Sequence, residues 1–351
     1  MTTNLLTYTP IPTQWVGPIR ITGNVVDTSV SIPLATYESP LWPSVGRGAK
    51  VTRQCADGLV ATLLDDRMTR SVILETDSAA AAARAYVTLQ QQRPALEAIV
   101  TRASRYAKLV EVHHEIVGCL LFLRFEFTTG DAAGHNMATH AAERLMEFIL
   151  LHDDSLRYPS ISGNYCADKK VSAVNAILGR GKSVSAELLI PREVVAETLH
   201  TTAERIVELN IRKNLVGSTL AGSLRSANAH YANMLLAFYL ATGQDAANIV
   251  EGSQGITYAE ARAEGLYFSC NLPNLIVGSV GNGKSEPAVA DNLDRLGCAP
   301  DHTEPGQSAR KLAVLAAAAT LCGELSLLAA QTNPGELMKT HLSMERAKET
   351  I

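Results

Sequence analysis

Alternation of apolar and polar positions is clearest in the middle of the chain. Between residues 120 and 128, every second position carries a large apolar side chain, at Leu121, Leu123, Phe125 and Phe127. A period of two is typical of a half-buried β-strand, because successive side chains point to opposite faces of the sheet. The sequence therefore predicts a strand here.

A helix is predicted directly after this strand, beyond a turn over residues 129–136 that contains glycine. The apolar residues that follow the turn recur at helical spacing. They are Met137, Ala141, Leu145, Phe148 and Leu151. A strand, a glycine-containing turn and a helix can present backbone amides to a phosphate, so the turn is a candidate anion site. The turn is not a GxGxxG fingerprint, and such turns are common.

Other segments extend this alternation of helices and strands. Helices are predicted over the alanine-rich residues 78–87 and over residues 90–107, and a strand over residues 184–190. A further helix is predicted to begin at Pro191, because proline is tolerated in a first helical turn. Its apolar face would carry Val195, Leu199, Thr202, Ile206 and Leu209.

The most apolar stretch runs from Leu312 to Ala330. It is rich in alanine and contains Thr320, Glu324 and Ser326, which make it too polar for a comfortable membrane span. We therefore expect a buried core helix in a soluble, cytoplasmic protein. The N-terminus lacks the basic and then apolar pattern of a signal peptide.

Length and charge narrow the class of protein. A chain of 351 residues can bury a sizeable core and form two domains. Its net charge of −4 gives no reason to expect a nucleic-acid or anionic-membrane partner. The six cysteines are scattered without a CxxC pair, which fits reduced thiols and argues against a disulfide scaffold or a zinc site. We expect no metal.

The segment from Ser162 to Lys170 is the first candidate for chemistry. It reads Ser-Gly-Asn-Tyr-Cys-Ala-Asp-Lys-Lys and places Lys169 next to Asp168. An ammonium near a carboxylate keeps its charge and can stabilise an oxyanion. Taken alone, these nine residues fit a solvated surface loop at least as well.

A second candidate is the segment Gly278–Ser285, which fits the phosphate-binding pattern GxxxxGK[ST] and follows the strand-like residues 275–277. Alone it would indicate a nucleoside triphosphatase. A P-loop domain needs several more strands and a magnesium-binding aspartate, however, and the remaining residues 286–351 have helical patterns. A P-loop nucleotide-binding protein is therefore the alternative interpretation.

Taken together, the motifs resemble the 3-hydroxy-3-methylglutaryl-CoA (HMG-CoA) reductase family over about 330 residues. The matching motifs include Ser162–Lys170 with the following Gly-Arg-Gly-Lys-Ser, Pro-Leu-Ala-Thr-Tyr-Glu38, Asn210–Ser218, Gly-Gln-Asp245-Ala-Ala and Lys-Thr-His341. The departures are Ser39-Pro40 for Gly-Cys, Gly46 for asparagine, Ala133 and His135 for two methionines, and Lys284 in a loop that reads Gly-Thr-Val-Gly-Gly-Gly-Thr in the family.

The resemblance implies three sets of site residues. The catalytic set is Glu38, Lys169, Asp245 and His341. The substrate-binding set is Ser44, Arg47, Lys50, Arg70, Ser162, Asp168, Lys170, Lys213, His230 and Asn233. The cofactor-binding set is Ser104, Arg105, Asp131, Gly134, Asn136, Gly281, Asn282 and Gly283. An apolar sequence setting would favour the protonated form of Glu38.

The resemblance also implies an α+β fold. A large, mostly helical substrate-binding domain (13–71 and 161–335) would carry an inserted small α/β, ferredoxin-like cofactor domain (72–160). An N-terminal extension (1–12) and a C-terminal catalytic flap (336–351) would complete the chain.

The implied reaction reduces HMG-CoA to mevalonate and coenzyme A by two hydride transfers from NADPH, as in the mevalonate route to isoprenoids. NADPH is favoured because Ser104 and Arg105 match the pair that the class I, NADPH-using branch places near the 2′-phosphate. The active site would lie at the interface of a homodimer or higher homo-oligomer. The departures from the family pattern leave a second alternative, a non-catalytic relative that binds coenzyme A esters.

Overall fold

The computed structural model describes residues 7–300, 304–338 and 342, so the predicted catalytic residue His341 lies outside the described residues. The strands are β1 (Thr13–Gly23), β2 (Thr28–Ala35), β3 (Leu59–Glu75), β4 (Leu109–Val117), β5 (Leu120–Phe127), β6 (Arg157–Ser160), β7 (Gly181–Pro191), β8 (Ile256–Ala261) and β9 (Gly265–Leu275).

The α-helices are α1 (Leu41–Gln54), α2 (Ala79–Gln91), α3 (Arg93–Ala103), α4 (His135–His152), α5 (Ala173–Leu178), α6 (Arg192–Leu199), α7 (Ala203–Leu209), α8 (Ser218–Leu220), α9 (Tyr231–Ala241), α10 (Ile249–Gly252), α11 (Pro287–Arg295) and α12 (Gln307–Gln331). A π-helical segment, Asn210–Gly217, joins α7 to α8, and a short 3-10 helix, Ala246–Asn248, precedes α10. The predicted α+β class is confirmed.

The sheet has the order β2-β1-β3-β7-β9-β8, and β3 pairs in addition with β5 and β6. The first part of β3 lies parallel to β1 and antiparallel to β7, whereas its second part, Met68–Glu75, is antiparallel to β5. One strand of 17 residues is thus shared by both parts of the molecule. The segment Ser162–Lys170, called the signature loop below, follows β6, which pairs with the end of β3.

The larger hydrophobic core surrounds α12. This helix is long and apolar enough to cross a membrane by length and composition, but 94% of its most apolar window is buried inside the protein. A β-carbon on Gly48 of α1 would lie 2.2 Å from the carbonyl oxygen of Cys322 in α12. The backbones of the two helices therefore approach so closely that only glycine fits at this position. The predicted buried core helix is confirmed.

A second core lies between strands β3, β4 and β5 and helices α2, α3 and α4. The elements follow the order β3-α2-α3-β4-β5-α4-β6, which is a ferredoxin-like βαββαβ arrangement with a split first helix. Its buried side chains come from residues 68–156, and Ile276 joins them from after β9. The domain division at residues 71–72 and 160–161 stays a prediction, and the second core includes Met68, which lies before the first of these boundaries.

Strand β5 confirms the predicted strand but not its predicted half-burial. Arg124 and Glu126, on the polar face, are as inaccessible to solvent as the apolar residues between them. They form an ion pair with each other, and Arg124 donates to the carbonyl oxygen of Gly179 at 2.6 Å. The turn before β7 covers this face, and pairing makes the burial of both charges possible.

The long helix predicted from Pro191 is wrong, because the structure has two helices. His200 adopts a left-handed conformation (φ 56°) and ends α6. The side chain of Thr202 accepts a hydrogen bond from the backbone amide of Arg205 and so caps α7. Thr202 is therefore a capping residue and does not belong to an apolar helix face.

Candidate active site

Lys169 and Asp245 form an ion pair in a cavity of about 640 Å³. The Lys169 ammonium lies 2.6 Å from the Asp245 carboxylate. The hydrogen bond to Asp245 raises the pKa of Lys169, and the bond to Lys169 lowers the pKa of Asp245. Both groups are therefore ionised at neutral pH, which gives the cavity a fixed cation with its own counterion.

Asp245 also holds a local structural position. Its carboxylate accepts a hydrogen bond from the backbone amide of Ala247 at 3.1 Å and so caps the short helix Ala246–Asn248. The carboxylate is therefore oriented by the backbone on one side and by Lys169 on the other. The sequence allowed a capping role and a catalytic role for this residue, and the geometry is compatible with both.

A buried network holds the loop that carries Lys169. The backbone amide of Lys169, a residue at φ 54°, donates to the carboxylate of Glu251 at 3.1 Å. Arg180 lies 2.9 Å from the same carboxylate and 3.0 Å from that of Asp168. Glu251 and Arg180 are almost inaccessible to solvent. The network therefore fixes a backbone conformation that a lysine rarely adopts.

The beginning of the same loop is attached to β3. The backbone amide of Ser71 donates to the sulfur of Cys166 at 2.9 Å, and the amide of Gly163 donates to the carbonyl oxygen of Ser71 at 2.9 Å. The Arg70 guanidinium donates to the carbonyl oxygen of Ile161 at 3.1 Å and also lines the Lys169 cavity. Strand β3 therefore positions the signature loop.

His135, where the family motif has methionine, lies in the same cavity. Its Nε2 is 3.4 Å from the carboxylate of Asp168. The imidazole, followed by the Arg180 guanidinium, holds the pKa of Asp168 well below its usual range. The sequence analysis noted His135 only as a departure from the family motif. Its contact with Asp168 had no local signal, because the two residues lie in separate segments of the chain.

The part of the cavity at the start of α4 is lined by glycines and by the N-terminus of that helix. Gly134, Asn136, Gly281 and Asn282 from the predicted cofactor set line it. The turn before α4 packs against the loop after β9, where a β-carbon on Gly278 would lie 2.4 Å from the backbone nitrogen of Ala133. A helix N-terminus beside a glycine loop can approach a pyrophosphate closely. The residues present therefore suit the nicotinamide cofactor.

Other members of the cofactor set make structural contacts. The Asp131 carboxylate accepts the amides of Gly306 and Ala309, at 2.9 and 3.1 Å, and so caps α12. The Ser104 hydroxyl accepts the amides of Tyr106 and Ala107. The exposed Arg105 lies over the Tyr106 ring, which lines a smaller cavity that shares Ala132, Met137 and Val280 with the larger one. The two cavities are therefore adjacent, and Arg105 contacts a lining residue of the smaller one.

A second cavity of about 440 Å³ gathers another group of predicted residues. They are Glu38, Ser44, Arg47, His230 and Asn233. Asn233 donates to the Glu38 carboxylate at 3.1 Å, and His230 Nε2 lies 3.0 Å from the carbonyl oxygen of Gly323. Arg47 binds Ser326 and pairs with Glu336 at 2.7 Å.

Within one protomer, Glu38 is separate from the Lys169–Asp245 pair. The two cavities have no lining residue in common. Glu38 is exposed to solvent, so its apolar neighbours in sequence do not bury it within this chain. The structure thus brings Lys169 and Asp245 together and places Glu38 with Asn233.

Four of the substrate candidates, Lys50, Ser162, Lys170 and Lys213, line neither of these cavities. Lys50, Ser162 and Lys170 are exposed, and the Lys170 amine donates to the carbonyl oxygen of Asp168 at 3.1 Å. Lys213 lies in the π-helical segment, where burial lowers its pKa and the nearby Glu324 opposes that effect. Arg180 and Glu251 were missed by the sequence interpretation, which offered no signal for a contact between residues so far apart.

The segment that fits the P-loop pattern has a different geometry. Strand β9 is antiparallel to both of its neighbours, and α11 begins only at Pro287, after the Lys-Ser pair. A P-loop requires the helix to begin at that pair so that its amides surround the phosphates. Here the Lys284 amine donates instead to the carbonyl oxygen of Gly243.

Comparison with known proteins gives consistent matches. The model of the hydroxymethylglutaryl-coenzyme A reductase family matches residues 1–346. The chain is 46% identical over 329 residues to 3-hydroxy-3-methylglutaryl-coenzyme A reductase of Pyrococcus abyssi, which covers 93% of this chain and 80% of that relative. It is 41% identical over 337 residues to the reductase of Methanothermobacter thermautotrophicus, with 96% and 83% covered.

Among solved structures, the chain is similar to the class II 3-hydroxy-3-methylglutaryl-CoA reductase of Streptococcus pneumoniae bound to NADPH in open conformations. The TM-score is 0.73 at 18% identity, and the match covers 95% of this chain and 88% of that one. At this identity the likeness shows a shared fold.

Proposed function

Because this chain belongs to the hydroxymethylglutaryl-coenzyme A reductase family, we propose that it reduces HMG-CoA to mevalonate and free coenzyme A, with NADPH as the reductant. The Lys169–Asp245 pair in the cavity beside α4 carries this proposal. It provides a permanently charged ammonium at the place where the reacting carbonyl would lie. The reaction produces a precursor of isoprenoids, and the free thiols of all six cysteines fit a reducing, cytoplasmic location.

Lys169 stabilises the charge that develops on the substrate. Each reduction of a carbonyl places negative charge on its oxygen, and a preorganised ammonium binds that charge more strongly than it binds the neutral carbonyl. Asp245 keeps Lys169 protonated, because a neighbouring carboxylate favours the ammonium form. Bound NADPH supplies the hydride for each of the two reductions.

Protons come from other residues of the chain. Glu38 would protonate the alkoxide, and Asn233, which donates to its carboxylate at 3.1 Å, would orient it. His341 would protonate the departing coenzyme A thiolate, since imidazole titrates near neutral pH. The substrate carboxylate would be bound by Arg70, and the coenzyme A moiety by Ser44 and Arg47.

The complete site requires a second protomer in this proposal. Glu38 and Lys169 line different cavities of one chain, although the chemistry needs an acid and an oxyanion-stabilising cation at one carbonyl. A homodimer that joins the Glu38 cavity of one protomer to the Lys169 cavity of its partner would satisfy that requirement. This arrangement agrees with the interface location that the sequence resemblance implies.

The proposal is tested by the absorbance of the nicotinamide at 340 nm with purified protein, HMG-CoA and either NADPH or NADH. We expect oxidation of two NADPH molecules for each HMG-CoA, because a thioester is converted to a primary alcohol. Reactions without HMG-CoA control for background oxidation. Binding of HMG-CoA without any oxidation, in dimeric protein, would support the non-catalytic alternative and exclude the reductase.

Arg105 is expected to discriminate NADPH from NADH. Replacing it with alanine removes the guanidinium that the family resemblance places near the 2′-phosphate, so we expect the dissociation constant for NADPH to rise about tenfold, the worth of one charge-assisted hydrogen bond. The constant for NADH should change little. Fluorescence titration of both cofactors measures the effect.

Arg102 provides the control for this experiment. It lies on the last turn of α3, three residues before Arg105, and its guanidinium donates to the carbonyl oxygen of Ala98 at 3.3 Å. Arg102→Ala should leave both dissociation constants unchanged. Equal loss of NADPH and NADH affinity in Arg105→Ala would show that Arg105 does not contact the 2′-phosphate.

A further inference from the structure

Lys284 is a half-buried lysine of the catalytic cavity for which the proposed reaction has so far assigned no role. It lines the same cavity of about 640 Å³ as Lys169 and Asp245. Its amine donates to the carbonyl oxygen of Gly243, two residues before Asp245. A lysine ammonium has three N–H donors, so this bond leaves donors for a group in the cavity.

The charge of Lys284 is not neutralised by the chain. Burial alone lowers the pKa of Lys284 to about 8, and no acidic side chain of the described residues opposes that effect. The lysine is nevertheless mostly protonated at neutral pH. An ammonium that is partly removed from water and hydrogen-bonded only to a neutral carbonyl gains more binding free energy from an anionic ligand than an exposed ammonium does.

The backbone around Lys284 lies against the turn before α4, which is the candidate anion site of the sequence analysis. The amide of Ser279 donates to the carbonyl oxygen of Asp131 at 2.9 Å, and Val280 forms a parallel bridge with Ala132. Gly281 and Gly283, at φ 106° and 81°, bring the chain from this bridge to Lys284. The lysine and the positive N-terminal end of α4 therefore face one volume, and both favour a negative ligand.

From these observations we propose that Lys284, in the glycine loop after β9, binds the pyrophosphate of the nicotinamide dinucleotide. The inference rests on the proposed function, since that function supplies the dinucleotide. The family loop that this segment resembles has threonine at the position of Lys284, so the ammonium adds a charge that the loop otherwise lacks. The sequence pattern that resembles a P-loop then reflects phosphate binding of a different kind.

The test is fluorescence titration of NADPH without HMG-CoA, using the intact protein. Lys284→Met, which keeps length and removes charge, should raise the dissociation constant about tenfold, as expected for loss of a charge-assisted hydrogen bond. Lys284→Arg retains the charge and should stay within about threefold of the unchanged protein. Inorganic pyrophosphate should compete with NADPH in the unchanged protein and lose that ability in Lys284→Met.

Lys311→Met is a matched control. The Lys311 amine also donates to a glycine carbonyl oxygen, that of Gly297 at 3.2 Å, but the residue does not line the cavity. Its replacement should leave NADPH binding unchanged. Thermal unfolding of all three variants confirms that changes in affinity do not reflect loss of folded protein.

The pH dependence of binding gives an independent readout. As the pH rises through about 8, Lys284 loses its proton, so the affinity of the unchanged protein for NADPH should fall, and the fall should be absent from Lys284→Met. The other charged or titratable side chains that face this cavity are Arg70, His135, Asp168, Lys169, Arg180 and Asp245. They are the same in both proteins, and the comparison therefore isolates Lys284.

Several outcomes would overturn the inference. An unchanged dissociation constant for NADPH in Lys284→Met, or an effect only on the KM for HMG-CoA, would show that Lys284 does not bind the pyrophosphate. Binding of magnesium ATP that depends on Lys284, without binding of NADPH, would favour the nucleotide-binding alternative. The proposed function fails separately, if the unchanged protein does not oxidise NADPH.

Discussion

Replacing Lys169 with methionine is expected to lower kcat for HMG-CoA reduction about 100- to 1,000-fold, the usual cost of losing one oxyanion-stabilising donor. The change also leaves Asp245 as an unpaired negative charge where negative charge must develop, so the loss should lie at the upper end of that range. The KM for HMG-CoA should change much less, because the charge exists only during reduction. Steady-state kinetics of NADPH oxidation measures both constants.

Lys311→Met controls for removal of a lysine, and circular dichroism controls for folding. Asp245→Asn tests the pair from the other side, since a neutral amide no longer favours the ammonium form of Lys169. The pair keeps its charges at neutral pH, because the Lys169 pKa is raised and the Asp245 pKa lowered. A Lys169→Met protein that is folded, dimeric and within about tenfold of full activity would remove Lys169 from the mechanism.

Arg180→Met should lower the free energy of unfolding by about 3–5 kcal/mol, because it leaves the buried Glu251 carboxylate without its counterion. Burial already raises the pKa of Glu251 above its usual value of 4.5, and Arg180 opposes that effect. In the variant, folded Glu251 holds a proton that the unfolded chain releases above that pH, so stability should fall as the pH rises. Urea unfolding at several pH values measures this slope.

Arg192→Met is the control for this stability change. Arg192 pairs with Glu204 at 2.8 Å, but both side chains are more than half exposed, so its loss should change the free energy of unfolding far less than the loss of Arg180 does. Arg180→Met should also lower activity beyond the loss of folded protein, since Glu251 holds the backbone amide of Lys169. Equal free energies of unfolding for the two variants would show that the Glu251 carboxylate does not need Arg180 as its counterion.

Local patterns and short motifs predicted much of this molecule. The period of two in β5 and the apolar run of α12 depend only on neighbouring residues, and both elements lie where they were predicted. The Lys169–Asp245 contact was implied by motifs that lie 76 residues apart along the chain. Motif resemblance could supply it because the two motifs are characteristic of one family.

The parts that could not be predicted depend on tertiary contacts without a local signal. Arg124 occupies a polar strand position but is buried, and it donates to the carbonyl oxygen of Gly179, which is 55 residues away in sequence. Arg180 and Glu251 are 71 residues apart, and neither sequence position shows that they meet under the Lys169 loop. Glu38 has apolar neighbours in sequence but is exposed in the structure, because apolar neighbours along the chain do not by themselves bury a side chain.

The continuity of β3 limits how the cofactor domain could be exchanged between related enzymes. A join at residues 71–72, where the sequence suggested a boundary, would cut one strand of 17 residues. A chimaera joined after Glu75 would keep the strand intact. The donor's β5 would then have to pair with the recipient's β3 in the present register, in which Met68 is opposite Phe127 and Glu75 is opposite Leu120. Successful transplants should therefore include the whole of Met68–Glu75 in the donated segment, with the upstream join in the part of β3 that pairs with β7.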